Sequence, residues 1–344
     1  MSEVLYRKYR PQTFADVVGQ DQVVKTLSSQ IALGTIGHAY LFAGSRGTGK
    51  TSIARILARE LGTSTNDIYE IDAASNTSVD DIRELNESVH TLPFDSKYKI
   101  YILDEVHMLS KSAANALLKT LEEPPAHVIF ILATTETQKI PETVLSRCQV
   151  YTFKKPNQEV LKTVVKSVAK KEGYTLADSS ADLIALLGDG SFRDSYGVLQ
   201  KVLSSSKDKK ITEDEVLLVT GAPQTTLINE LVSAIAYKKR GDALGIVKKV
   251  SDQNVDMSVL LKLLLAKMRA VLLVRFGSTA LVKDSLSEED FSFIETLAKD
   301  KTAEVSSATI IALLDAYTAT GKAYIASLPL ELAFVSLLDD VSQD

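Results

Sequence analysis

The sequence predicts an α/β protein: a parallel sheet carrying a phosphate-binding loop, followed by an all-helical remainder. Three observations lead there. A glycine-rich octapeptide sits between an apolar strand and an amphipathic helix, and a second apolar run ends in two carboxylates. Towards the C-terminus glycine and proline thin out and apolar residues take helical spacing.

Gly44-Ser45-Arg46-Gly47-Thr48-Gly49-Lys50-Thr51 fits the phosphate-loop pattern G-x-x-x-x-G-K-[ST]. Before it runs the apolar strand His38-Ala39-Tyr40-Leu41-Phe42-Ala43. After it, Ser52 to Leu61 carries apolar side chains at helical spacing. This context turns a pattern into a site. Glycines let backbone N–H groups converge on phosphate oxygens, and the helix N-terminus adds a favourable field. Lys50 is expected to reach the β- and γ-phosphates and Thr51 to ligate Mg²⁺, with Ser52 beside them at the helix start.

Lys99-Ile100-Tyr101-Ile102-Leu103 reads as a buried parallel strand. It ends in Asp104-Glu105. A carboxylate at such a tip holds Mg²⁺ in phosphate-loop enzymes, and a second beside it can polarise the attacking water. Asp104 is the expected metal residue and Glu105 the expected general base.

Prolines mark the joints. Six of the eight lie at or before Pro156. Pro156 follows the strand Val150-Tyr151-Thr152-Phe153, and Pro223 follows Gly221. Between these two prolines the pattern predicts about three helices, including Glu159–Glu172 and one from Ser191 onward. After Pro223 only Pro329 interrupts a helical pattern. The resulting parts are residues 1–155, 156–221 and 222–344.

Beyond this point the chain resembles a known family. Leu5-Tyr6-Arg7-Lys8-Tyr9-Arg10-Pro11, Phe14-Ala15-Asp16-Val17-Val18-Gly19-Gln20 and Asp104-Glu105-Val106-His107-Met108-Leu109-Ser110 carry the likeness. So do Ala116-Leu117-Leu118-Lys119-Thr120-Leu121-Glu122-Glu123-Pro124-Pro125 and Leu145-Ser146-Arg147-Cys148. These stretches are similar to the gamma/tau subunits of bacterial DNA polymerase III, the AAA+ motors of the sliding-clamp loader. The motifs fall within residues 1–200.

The resemblance implies an AAA+ phosphate-loop NTPase domain (1–155), a helical lid (156–221) and an all-α collar (222–344). It implies that Arg147 is a finger inserted into a neighbour's ATP site. It implies a polar sensor at Thr135, with Thr134 the adjacent alternative, and a second sensor at Arg193. Tyr6, Arg7, Pro11, Val17 and Val18 would line the adenine pocket. The implied partners are other clamp-loader subunits in a pentameric ring, the sliding clamp, primer–template DNA and the polymerase holoenzyme. The chain shows no polymerase carboxylate motif of its own. Asn76, Thr77, Ser78 and Arg83 would face DNA inside the ring, although Asp80, Asp81 and Glu84 oppose that reading. A helix cap formed by Ser78 with Asp81 is the competing account.

One departure is large. The family usually carries a four-cysteine zinc module after the phosphate-loop helix. Here Leu61-Gly62-Thr63-Ser64-Thr65-Asn66-Asp67 leads straight to the strand Ile68-Tyr69-Glu70-Ile71, and Cys148 is the single cysteine. ATP and Mg²⁺ are therefore expected but zinc is not. His38, His90, His107 and His127 show no ligand spacing; His107 is expected to pack or hydrogen-bond.

Composition agrees. Hydrophobic residues form 45% of the 344, which supports sizeable cores. One cysteine excludes an internal disulfide and fits a reducing compartment. Residues 2–11 are charged and polar, unlike a signal peptide. The most apolar run, Val259 to Val274, contains Lys262, Lys267 and Arg269 and reads as a packing helix, not a membrane span. A cytoplasmic protein without membrane contact is expected. The net charge of −5 is no footprint for wrapping DNA alone, which leaves a locally basic ring interior open. Two rival readings remain: a non-hydrolysing stator of a clamp loader, opposed by the intact phosphate loop, and another AAA+ DNA-remodelling ATPase, opposed by the all-helical remainder.

Overall fold

The computed structural model describes residues 3–75, 78–206, 208–253, 255–283, 286 and 288–338. The chain divides into two compact units. One is Met1–Thr163 with Gly188–Gly197; the other is Val164–Leu187 with Val198–Asp344.

The first unit is built on five parallel strands: β1 (Ala39–Ala43), β2 (Ile68–Asp72), β3 (Lys99–Asp104), β4 (Val128–Thr134) and β5 (Gln149–Thr152), in the order β2-β3-β4-β1-β5. The three central strands are buried along almost their whole length. Their sequences are near-continuously apolar because helices cover both faces. The edge strands β2 and β5 are largely exposed.

Helices α1 (Leu5–Lys8), α2 (Asp21–Leu33), α3 (Lys50–Glu60), α4 (Val79–Ser88), α5 (Lys111–Glu122) and α6 (Glu142–Leu145) accompany the sheet. Alternate strand residues point to opposite layers. Leu41, Leu103, Phe130 and Leu132 pack with Ile82 and Leu85 of α4, Leu117 and Leu121 of α5 and Val144 of α6. Tyr40, Phe42, Ile102 and Ile131 pack with Val23 and Leu27 of α2 and Ile53 and Leu57 of α3. Helix α3 starts two residues before the expected Ser52, because left-handed Gly49 (φ 101°) turns the loop directly into it.

Register positions the site. Ala43 at the end of β1 pairs with Thr134 at the end of β4. Leu103, one residue before the β3 tip, pairs with Leu132. The phosphate loop, Asp104-Glu105 and Thr135 therefore emerge together at the C-terminal edge of the sheet, where ligands sit in such folds.

The second unit begins within α7 (Gln158–Lys171), contains α8 (Asp178–Leu187) and resumes within α9 (Phe192–Ser205). It continues through α10 (Glu213–Thr220), α11 (Thr225–Ala236), α12 (Arg240–Asp252), α13 (Met257–Arg275), α14 (Ala280–Lys283), α15 (Glu288–Lys299), α16 (Ser307–Thr320) and α17 (Leu328–Leu337). A parallel pair of two-residue strands, β6 (Thr175–Leu176) and β7 (Lys210–Ile211), joins the segments. Between Pro156 and Pro223 the described residues thus hold four helices, one more than expected. The extra one, α10, is fixed by local signals: a Thr212/Glu215 capping box and left-handed Gly221.

The apolar run Val259 to Val274 is the centre of the helical bundle. Leu260, Leu261, Leu264, Met268 and Val271 of α13 are buried against α11, α15 and α16. Lys267 enters that core with partners: its Nζ donates to Asp290 at 2.7 Å and Asn229 at 2.6 Å. No helix among the described residues is long and apolar enough to cross a membrane.

Candidate functional site

The phosphate loop leaves β1 at Gly44, whose N–H donates to the Thr134 carbonyl (3.1 Å). Gly47 (φ 73°) and Gly49 (φ 101°) hold left-handed conformations that favour glycine. Lys50 is 5% exposed, and its Nζ donates to the carbonyls of Gly44 (2.7 Å) and Ser45 (3.0 Å). Burial pulls the Lys50 pKa down; Glu105 and Asp104 oppose this, and Arg193 adds to it. Thr48 Oγ1 donates to the Ser45 carbonyl (2.9 Å). The Ser45 hydroxyl is buried without a hydrogen-bond partner. Arg46 is exposed and Ser52 half-buried.

Thr51 Oγ1 donates to Asp104 Oδ2 at 2.7 Å, so the two expected metal residues, 53 positions apart, meet. Next to them Glu105 adopts a left-handed backbone (φ 52°), an uncommon state for a side chain with a Cβ and one that concentrates at functional sites. Thr135 Oγ1 donates to Glu105 Oε2 (3.0 Å). Thr134, the alternative, is fully buried and contacts His107 and the Glu136 N–H instead. His107 does more than pack: its ring lies between Glu105 and Glu136.

Arg193 is carried at the start of α9. The Phe192 N–H donates to the Gly47 carbonyl (3.0 Å). A Cβ on Gly47 would fall 2.0 Å from Ser191 Oγ, so glycine is needed for space as well as for φ. The Arg193 guanidinium lies 5.7 Å over the Tyr6 ring, and that of Arg7 lies 5.9 Å from the same ring. Tyr6 and Pro11 are half-buried and Arg7 exposed. Val17 packs on the core while Val18 is exposed.

Arg147 is elsewhere. Gln149 of β5 is level with Tyr40 of β1, so Arg147 precedes the sheet at the edge where β1 begins. The phosphate loop follows the other end of β1, roughly 15 Å away at ~3.3 Å per residue. Arg147 forms an ion pair with Glu122 and donates to the Thr143 carbonyl at 2.6 Å. Burial pushes the thiol of neighbouring Cys148 up to about 11.

Ser78 caps α4 through Asp81: the Asp81 N–H donates to Ser78 Oγ (3.2 Å) and the Ser78 N–H to Asp81 Oδ2 (3.1 Å). Arg83 is paired with Asp80 at 2.9 Å. Asn76 and Thr77 lie outside the described residues.

Sequence reading missed Gln20. It is 4% exposed, donates to the Thr48 carbonyl (3.3 Å) and the Lys154 carbonyl (2.7 Å), and accepts the Lys154 N–H (3.2 Å). It thereby ties the loop to the end of β5. Its place in Val17-Val18-Gly19-Gln20 was the available signal.

The donor set fits a nucleoside triphosphate with Mg²⁺. A buried ammonium rests on replaceable carbonyls, a serine hydroxyl has no partner, and a hydroxyl–carboxylate pair stands beside the helix N-terminus.

Comparison with known proteins agrees. The family model for the DNA polymerase III delta subunit matches residues 61–157, and that for magnesium chelatase subunit ChlI matches residues 13–102. DNA polymerase III subunit tau of Bacillus subtilis is 40% identical over 294 residues, covering 79% of this chain and 52% of that protein. Subunit tau of Salmonella typhimurium is 37% identical over 308 residues, covering 83% of this chain and 48% of that protein. The chain thus spans about half the length of these curated relatives. Among solved structures, the Holliday junction branch migration motor RuvB of Thermotoga maritima matches with a TM-score of 0.53 at 24% identity, covering 66% of this chain and 79% of that one, a likeness of fold. Subunit gamma of Buchnera aphidicola is 36% identical over 303 residues, covering 82% of each chain, and on that match the protein belongs to the DNA polymerase III gamma/tau subunit family.

Proposed function

We propose that this chain is an ATP-hydrolysing motor subunit of a clamp loader, which opens a sliding clamp and loads it onto primed DNA during replication. One juxtaposition carries the proposal: Lys50, Thr51–Asp104, Glu105–Thr135 and Arg193 gather at one edge of the sheet, while Arg147 stands at the other.

In this reading the loop N–H groups, Lys50 and Ser45 hold the ATP phosphates, with Arg46, Thr48 and Ser52 contributing. Tyr6, Arg7, Pro11, Val17 and Val18 line the adenine pocket. The Thr51 hydroxyl and the Asp104 carboxylate hold Mg²⁺, which when bound offsets the phosphate charge. Glu105 takes the proton of the attacking water, oriented by Thr135. Arg193 reports on the γ-phosphate. This chain's own Arg147 stands at the opposite edge of the sheet, so in this reading a neighbour's Arg147 completes the site, an effect of roughly 10³–10⁵ in rate.

Residues 1–155 act as the ATPase domain, 156–221 as its lid and 222–344 as the collar of a pentameric ring. The partners are other clamp-loader subunits, the clamp, primer–template DNA and, through them, a cytoplasmic polymerase holoenzyme. Ser78 and Arg83, with Asn76 and Thr77, are proposed to face the DNA, and Arg83 would leave Asp80 to reach a phosphate. A zinc site is not part of the proposal, since one cysteine cannot supply the usual ligand set.

The test is ATP turnover with and without partner subunits, clamp and primed DNA, followed by subunit mixing. Lys50→Ala and Arg147→Ala chains should each be inactive alone in the ring. Their mixture should regain turnover where an intact loop faces an intact finger. A mixture no better than either parent would overturn action in trans.

A further inference from the structure

His107 is a half-buried residue whose enclosed side chain has no role in the mechanism above. Its side chain is 7% exposed and sits three residues beyond Asp104. Nδ1 lies 3.4 Å from Glu105 Oε2 and 3.2 Å from Thr134 Oγ1. On the far side Nε2 lies 3.3 Å from Glu136 Oε1. That same oxygen accepts from Lys139 Nζ at 2.9 Å, and the Glu136 N–H donates to Thr134 Oγ1 at 3.0 Å.

Glu105 needs support of this kind. Its left-handed backbone (φ 52°) is retained only where the surroundings over-determine it. A carboxylate on a two-carbon stem also has rotamers that point elsewhere. Thr135 grips Oε2 from β4's end, and His107 approaches the same oxygen from beyond the Glu105 turn. With both contacts on Oε2, Oε1 is left to receive a proton. On the other side Nε2 faces Glu136 Oε1, an oxygen that Lys139 also holds, while Thr134 Oγ1 steadies Nδ1.

We propose that His107 is a positioning residue for Glu105, acting through Nδ1, which hydrogen-bonds Thr134 Oγ1 at 3.2 Å and faces Oε2 at 3.4 Å. The assignment rests on Glu105 being the general base of ATP hydrolysis. It predicts a defect in turnover and none in nucleotide binding. An asparagine side chain can place an amide N–H where Nδ1 stands, whereas glutamine reaches the position of Nε2 and so serves Glu136 instead.

The experiment uses the full chain assembled with its partner subunits, a fluorescent ATP analogue with Mg²⁺ for affinity, and ATP for turnover. His107→Ala should lower kcat about tenfold or more while analogue affinity and KM stay within about twofold. His107→Asn should restore most of the loss and His107→Gln should not. In a Glu105→Gln background His107→Ala should cost nothing further, because the group it positions is gone. Wild-type kcat in His107→Ala, an undiminished loss in the Glu105→Gln background, or Gln outperforming Asn would each overturn the positioning role alone. Failure of the unsubstituted chain to bind the analogue would overturn the nucleotide reading beneath it, and full turnover in Glu105→Gln would overturn the general-base role on which the assignment rests.

Discussion

Lys50 and Lys267 are both buried, at 5% and 9% exposure, and the protein satisfies them in opposite ways. Lys50 rests on two loop carbonyls, with Glu105 and Asp104 acting on it at longer range. Lys267 meets the Asp290 carboxylate directly. A carbonyl dipole can be exchanged for a phosphate, since the gain in charge complementarity exceeds what is given up. A carboxylate partner in a helical core cannot be exchanged without stranding a charge. Under the proposed function one lysine is held ready for a phosphate; the other is committed to the bundle. Asp67 makes a third case: fully buried, it accepts the backbone N–H groups of Phe94, Asp95 and Ser96 at 2.6, 2.9 and 2.9 Å. It is the anionic counterpart of Lys50, a charge solvated by main chain, but with every donor used for the fold.

The sharpest way to break this contrast is Lys50→Ala. ATP affinity should fall about 100-fold or more, since a charged donor to two phosphates is lost. The melting temperature should move by less than ~3 °C. Retained affinity, measured by titration of a fluorescent ATP analogue, would remove Lys50 from the site.

Lys267→Ala should do the reverse. Removing the cation that faces half-buried Asp290 should cost about 3 kcal/mol in unfolding free energy, the low end for an enclosed pair, read by denaturant melts, with ATP affinity unchanged. Adding Asp290→Ala should recover part of that loss. If the single substitution is neutral in stability, the pair is not the anchor of α13 on α15.

The smallest effect concerns Asp67 and has a pH signature. Burial alone would raise its pKa, but the three backbone N–H groups and the Ser96 hydroxyl outweigh it and hold the carboxyl below its ordinary value. A depressed carboxylate contributes stability above the unfolded pKa and loses it as pH falls through the folded one. Asp67→Asn should therefore cost about 1–3 kcal/mol at pH 7, and the gap to the unsubstituted protein should close only as pH drops below about 4. A gap that stays constant down to pH 3 would show that charge is not what braces the loop at 94–96.

How much of this was legible depended on distance along the chain. The phosphate loop, the acidic end of β3 and the cap at Ser78 are local patterns whose chemistry follows from residue spacing. The meeting of Thr51 with Asp104 was expected because strand-loop-helix units force it. Gln20, however, ties segments 28 and 134 residues away, and no periodicity announces such a bond. His107 was read only as a packing or hydrogen-bonding residue, because its two carboxylate neighbours come from β3's end and the turn after β4. The fourth helix before Pro223 was readable but missed, since its Thr212/Glu215 capping box and its terminal Gly221 are local signals.

The sequence by itself determined which residues can cradle phosphates, which strands are covered on both faces, and that the C-terminal part is helical. These properties depend on backbone freedom and apolar spacing within about ten residues, which any reading of the chain can reach. The tertiary structure alone decided that Arg147 and Lys50 stand at opposite edges of the sheet, that Thr135 rather than Thr134 grips Glu105, and that Arg193 reaches the loop through Gly47. Those outcomes depend on strand order and register. In a parallel sheet, order and register are set by the packing of whole layers, so the partner of a given side chain is chosen by residues far from it in sequence.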